Sequence, residues 1–187
     1  MKILIAGLLL FIGIHLLPTF VGVRRGLLER LGEYPYKGIF ALSALLGMAL
    51  IIIGYRQAGL VPVWNPPAWG RQAVYLIMPI VFILLTAAYI PGNIKRFTRH
   101  PMLWGVTLWA VVHLLVKGDL ASMLVFIGLA LFALFDMVSA NRRGAALSQT
   151  RTPYYYDIFI IALGIIAYLA VLLVHPSSSP LLLLNQP

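Results

Sequence analysis

Apolar residues run through this chain in long blocks, broken by short charged stretches. The blocks predict six helices: Ile3–Val23, Gly38–Tyr55, Gln72–Pro91, Met102–Val116, Leu120–Ala140 and Tyr156–His175. Each is about 15 to 22 residues long, against the roughly 20 needed to cross a bilayer's hydrocarbon. Met102–Val116 is the shortest of them. The expected fold class is all-α, a polytopic transmembrane helical bundle of about six spans. It forms one domain over residues 1–187, with a motif-bearing core at 1–143 and a last span and tail at 144–187. No internal repeat is present, and no segment outside the blocks is long enough for a second domain. The first block has only Lys2 before it, Arg24-Arg25 after it and no small-x-small cleavage site, so it reads as a helix rather than a signal peptide. The tail Ser177–Pro187 ends in a leucine run too short to span.

Composition agrees with the blocks. At 61% hydrophobic residues and a mean hydropathy of +0.95, the chain is too apolar for a soluble domain of 187 residues. It contains no cysteine, which excludes disulfides, thiolate metal sites, cysteine nucleophiles and haem attached through a CxxCH motif. The 14 basic side chains outnumber the 5 acidic ones, but they are spread over the loops. That spread is a topology signal with headgroup contact, not a nucleic-acid surface.

The basic residues also orient the spans. Arg24, Arg25, Arg30, Lys37, Lys95, Arg96, Arg99, Arg142, Arg143 and Arg151 follow spans one, three and five, whereas only Lys2, Arg56, Arg71 and Lys117 lie on the other side. The positive-inside rule then puts both termini outside the cytoplasm, in the periplasm if the source is Gram-negative. The outer loop 57–71 holds Pro62, Trp64, Pro66, Pro67 and Trp69, a composition that forbids a regular helix and suits the headgroup layer. Tyr154, Tyr155 and Tyr156 suit the same layer at the inner face.

Histidines carry the candidate chemistry. His15 and His113 each fall deep in an apolar block, where an ionisable side chain marks a functional site by default. His15 lies about 18 Å into the first helix, with Pro18 and Gly22 on its face at i+3 and i+7. Gly105, Trp109 and His113 fall at i, i+4 and i+8, offering a gap, an indole and an imidazole on one face. That spacing suits a planar macrocycle between helices, and it equally suits a tight helix–helix contact with neutral, packed histidines. The first and fourth helices run in opposite directions, so two imidazoles could reach a haem iron from opposite sides. Zinc would want three or four ligands, and the spans carry carboxylates only near inner ends, Asp136 among them.

His100 is of another kind. It follows Lys95, Arg96 and Arg99 and precedes Pro101, a favoured first-turn residue, so basic side chains meet free helix amides in an anion site. Haem propionates, a phosphate or a cofactor carboxylate would fit, as would plain topology charge. Asp136 beside Arg142-Arg143 reads as a local ion pair that also steadies those arginines. His175, beside Pro176, reads as interfacial.

The element His15-Leu-Leu-Pro, the run Thr98-Arg99-His100-Pro101, the Gly105–Trp109–His113 stretch and Asn141-Arg142-Arg143 together resemble the NnrU family of bacterial membrane proteins. More distantly the chain is similar to the 15-cis-ζ-carotene isomerases. The resemblance runs from the first helix to about Arg143. The isomerase branch implies haem b held by two intramembrane histidines, which match His15 and His113, and NnrU relatives imply an association with denitrification. The expected cofactor is therefore haem b, with Arg99, His100, Arg143, Trp109 and Gly105 as further contacts. The expected partners are the lipid bilayer and other respiratory or denitrification membrane proteins, with no nucleic acid. The enzyme alternative is a haem-dependent cis–trans isomerase of a carotenoid-like polyene. The RHPxYxG motif of membrane methyltransferases is matched only in part: Leu103 replaces its tyrosine, and no glutamate follows Glu33.

Overall fold

The computed structural model describes residues 1–175; the expectation for the tail Ser177–Pro187 lies outside the described residues. Seven α-helices and two short 3-10 turns account for the fold. They are α1 (Lys2–Leu16), α2 (Val21–Leu31), α3 (Glu33–Gln57), α4 (Gly70–Tyr89), α5 (Pro101–Leu114), α6 (Leu120–Arg142) and α7 (Tyr154–Val174). The 3-10 turns are Leu17–Thr19 and Asn93–Arg96.

Five stretches are long and apolar enough to cross a membrane: Lys2–Thr19, α3, α4, α6 and α7. The sixth expected span, α5, is a 14-residue helix, about 21 Å long at 1.5 Å per residue. Large apolar side chains cover the outside of the bundle, with Leu9 70% and Leu76 74% exposed. Such a surface is intolerable in water and ordinary against lipid tails.

The first expected helix does not run unbroken to Val23. Pro18 has no N–H to give and its ring crowds the preceding turn, so the helix tightens into the 3-10 turn at Leu17–Thr19. Thr19 Oγ1 closes that turn by donating to Leu16 O at 2.6 Å. The chain restarts as α2, and Gly22 therefore sits on a different helix from His15 rather than on its face. Arg24, Arg25 and Arg30 lie in α2, not in a loop, and Gly32 ends that helix at a φ of 80°. The second span begins at Glu33, ahead of the expected Gly38, where Lys37 pairs with Glu33 at 2.6 Å.

The helices pack as a row in the order α3, α1, α6, α5, α4, α7. Glycines set the closest approaches. A Cβ on Gly47 would stand 2.9 Å from the backbone N of Phe11, and one on Gly7 would stand 2.6 Å from that of Ile51. Gly54 meets the backbone of Leu4 still more closely. The same device recurs where Gly164 of α7 faces Ile83 of α4, and where Gly105 of α5 faces Leu85. Leu4, Leu8, Ile51, Ala110, Val125, Phe126 and Leu129 fill the core shared by α1, α3, α5 and α6.

Two clasps hold the ends of the row. At one end, Asp119 caps α6 by accepting from Ser122 N at 2.9 Å and Ser122 Oγ at 2.6 Å, and Ser122 bonds Tyr55 of α3 at 2.8 Å. Burial works against the Asp119 charge, but the Ser122 donors outweigh it and hold the carboxyl below its ordinary range. The loop 58–69 lies over this end, with Val63 N and Gly118 O at 2.8 Å and Leu120 N and Val61 O at 2.9 Å. At the other, basic end, Asn93 grips α7: its backbone N donates to Asp157 Oδ1 at 2.7 Å and its Nδ2 to Asp157 Oδ2 at 2.6 Å. Thr152 completes the grip in both directions, at 2.8 and 3.2 Å.

The α1–α3 contact generates a paired expectation. Gly47→Ala forces two backbones apart and should cost about 1–3 kcal/mol. Gly13→Ala, where nothing lies within 4 Å of the added Cβ, should instead stabilise by about 0.5–1 kcal/mol. Thermal unfolding of the two variants in the same detergent reads both signs, and equal effects would remove the close-packing account.

Candidate functional site

Of the seven residues expected to surround a cofactor, His15 lies on α1, Arg143 just after α6, and the other five on α5 or just before it. His113 and Trp109 stand toward the helix's C-terminal end. Arg99 and His100 lie at its start, thirteen residues from His113, or about 20 Å along the axis. That rise separates the backbone of the inner-face pair from that of His113.

His113 sits in an aromatic cluster. Its ring centroid is 5.2 Å from that of Trp109 and 5.0 Å from that of Phe126 on α6, and Trp109 meets Phe126 edge-on at 5.0 Å. Its Nδ1 donates to Trp109 O, one turn back, at 2.7 Å. His15 repeats the arrangement on α1. Its Nδ1 donates to Phe11 O at 2.7 Å, and its ring touches those of Phe11 (4.2 Å), Phe40 of α3 (5.3 Å) and Phe132 of α6 (5.9 Å). A carbonyl oxygen can only accept, so each ring carries its proton on Nδ1 and its lone pair on Nε2. Phe11, Phe40 and Phe132 were not singled out from the sequence; aromatic residues in apolar blocks carry no signal of what they face.

The levels of the two rings follow from their neighbours on α6. Phe132 lies near that helix's midpoint and Phe126 six residues earlier, about 9 Å toward the Asp119 end. Both histidine side chains lean back along their own helices. Since α1 runs with α6 and α5 against it, the two rings lean toward each other's level. Gly105 takes no part: the space above it is filled by Leu85, at 3.0 Å from a built Cβ.

The basic end is organised by a residue that sequence reasoning left out of the site. Asn141 Oδ1 accepts from His100 Nε2 at 3.0 Å and from Arg99 at 3.3 Å, joining the start of α5 to the end of α6. A lone asparagine at the end of an apolar helix gave no cue beyond its place beside Arg142-Arg143. Arg143 does not join them. It donates to Ser139 and pairs with Asp136 at 3.4 Å, as the expected local ion pair. Clefts of about 370 and 480 Å³ open on either side of Arg99 and His100, and Arg143 lines neither. The loop after α6 forms part of their walls, pinned by Ser148 N donating to Lys95 O at 3.0 Å.

A helical bundle with paired intramembrane histidines and an Arg-His-Pro helix start is the arrangement on which the sequence resemblance rested. The family model described as NnrU protein matches residues 3–179, nearly the whole chain. The chain belongs to the NnrU family. No curated protein and no solved structure matches it.

The geometry of this NnrU-family member makes a statement about tautomers that a spectrum can check. Nitrogen-15 NMR of histidine-labelled, haem-free protein should show His15 and His113 as Nδ1–H tautomers when neutral. His100, whose Nε2 faces Asn141 Oδ1, should show the Nε2–H form. Nε2–H tautomers at His15 and His113 would contradict the intrahelical bonds.

Proposed function

We propose that this NnrU-family protein is a haem b-binding protein of the bacterial inner membrane, serving nitrite and nitric oxide metabolism. One observation carries the reading. In His15 and His113 alike, the Nδ1 proton is spent on a carbonyl one turn back, which fixes the tautomer and leaves Nε2 as a metal-ligating nitrogen. Metal-bound histidines characteristically use their second nitrogen in this way. The surroundings suit a macrocycle as well: Phe11, Phe40, Phe132, Trp109 and Phe126 offer flat apolar surfaces and no competing charge. Among the described residues no group of three or more His, Cys, Asp or Glu could hold a metal ion. A two-imidazole haem does not need one.

His15 and His113 would hold the haem iron through their open ring nitrogens, and Trp109 would brace the His113 ring. When bound, haem supplies a one-electron couple, its potential tuned by axial ligands and burial. The chain's own part is to hold two imidazoles in one tautomer and to surround them with aromatic rings.

The same reading includes six crossings with both termini outside the cytoplasm, α5 being the short one. Its support is the collection of Arg24, Arg25, Arg30, Lys95, Arg96, Arg99, Arg142 and Arg143 at one end of the bundle. A native chain without cysteine allows a clean measurement. Gly59→Cys should react with a membrane-impermeant maleimide from the outer side, and Gln149→Cys only after the cytoplasmic side is opened. The reverse pattern would invert the topology.

Haem ligation has its own measurement. Protein purified in detergent from haem-replete cells should carry low-spin haem b with sharp bands on reduction, one per chain. His15→Ala and His113→Ala should each lose those bands or turn the iron high-spin, whereas His175→Ala should keep them. Wild-type protein that is stable, monodisperse and free of haem would end this reading and leave two packing histidines.

A further inference from the structure

The two clefts at the basic end lie outside the haem reading, and they have a consistent chemistry. Arg99 and His100 line both. No carboxylate lines either one, although the whole chain has 5. Three of those acids are committed elsewhere by contact: Glu33 to Lys37, Asp136 to Arg143, and Asp157 to Asn93. Asp119 caps α6 at the far end, and Glu29 sits on α2. The cations at the clefts are thus left without a neutralising partner from the chain.

The donors converge. Asn141 Oδ1 holds Arg99 and His100 side by side, using one of the guanidinium's bonds and one ring nitrogen. The other guanidinium N–H groups are left to reach a ligand, in the fork geometry that suits phosphate. Lys95 lines the smaller cleft beside His100. The first amides of α5 add to this, since the first bond within the helix runs from Trp104 N to His100 O at 3.0 Å. The Met102 and Leu103 N–H groups precede it, and both residues line the smaller cleft.

The larger cleft supplies the other half of the chemistry. Its wall below Arg99 is Trp104, Leu134 and Val138, which are 44%, 42% and 51% exposed on the lipid-facing side of α5 and α6. A polar, cationic lip thus passes directly into an apolar wall that is open sideways. That sequence of surfaces fits an amphiphile, with its anionic head at the lip and its chain along the wall. A free inorganic ion would use only the lip.

We propose that the Arg99–His100–Asn141 cluster and the larger cleft beside it form a binding site for one phosphate-headed lipid. The phosphate sits against Arg99 and His100 at the cleft's lip, and an acyl chain lies along Trp104, Leu134 and Val138. The proposal does not depend on haem, and its test is read on protein with or without it.

Full-length protein in mild detergent is titrated with phosphatidylglycerol, with phosphatidylcholine and with inorganic phosphate, and bound molecules are counted by native mass spectrometry. One phosphatidylglycerol should remain bound per chain after extensive delipidation, in preference to phosphatidylcholine. Arg99→Ala should weaken it about tenfold, the scale of a charge-assisted hydrogen-bond pair. Val138→Asp, which puts a charged group where the acyl chain would lie, should weaken the lipid as well. Arg25→Ala, on α2, should change nothing. Thermal unfolding of each variant without lipid checks that it is folded. Equal retention in wild type, Arg99→Ala and Val138→Asp would reduce the lipid to an annular one and overturn the site. Inorganic phosphate binding as tightly as the lipid would overturn the lipid assignment.

Discussion

The row of helices depends on backbone meeting backbone at Gly7, Gly47 and Gly54, where α1 lies against α3 with no side chain between them. Lipid tails are as apolar as leucine, so burying leucine against leucine gains little in a bilayer. Dispersion contact at short range does the work instead, and small residues allow it. Those glycines place α1 so that Leu4 and Leu8 fill the common core and the His15 ring reaches Phe40. The same logic places α4 against α5 and α7 through Gly105 and Gly164. Gly105, read from spacing as room for a flat ligand, is room for Leu85.

The break at Pro18 has a further effect. It ends α1 at Leu16, one residue after His15, so the imidazole lies in the last turn of a helix that stops near the middle of α6. His113 likewise lies in the last turn of the short α5. At a helix end the side chain still leans toward the N-terminus, and its Nδ1 finds the carbonyl four residues back. Both imidazoles thus satisfy one nitrogen within their own helices and present the other to the bundle. A histidine bonded across to a neighbouring helix, the bland expectation for each, would have used the nitrogen that is left open here.

The long apolar blocks were legible because bilayer thickness imposes a length on them, and α3, α4, α6 and α7 lie close to the expected boundaries. The break after Leu16 was not. Prolines are tolerated inside membrane helices, so Pro18 alone does not distinguish a kink from an end. Arg24, Arg25 and Arg30 gave the side of the membrane but concealed α2, since charge reports location and not backbone conformation. His15 and His113 stood out because imidazoles are costly in hydrocarbon. Asn93 with Asp157, and Asn141 with His100, are pairs 64 and 41 residues apart, and no local pattern joins them. The family resemblance placed His100 with His113 among the cofactor contacts. Thirteen residues of helix rise about 20 Å, and the structure joins His100 to Asn141 and His113 to Trp109 and Phe126.

Charge is partitioned along the bundle in a way that separates those sites. The basic end keeps its arginines and Lys95 largely free of acids because Asp157 is consumed in clasping the Asn93 turn and Asp136 in holding Arg143. Each carboxylate performs a structural task and, in doing so, is withheld from the clefts around Arg99. The midmembrane region carries the opposite economy: His15 and His113 are surrounded by aromatic rings and backbone, with no charged group in ring contact. An anion entering from the basic face meets cations at the lip and only hydrocarbon beyond it. It is therefore stopped about 20 Å short of His113, measured along α5. The fold holds an anion-attracting surface and the His113 imidazole at the two ends of the same short helix, and the length of α5 separates them.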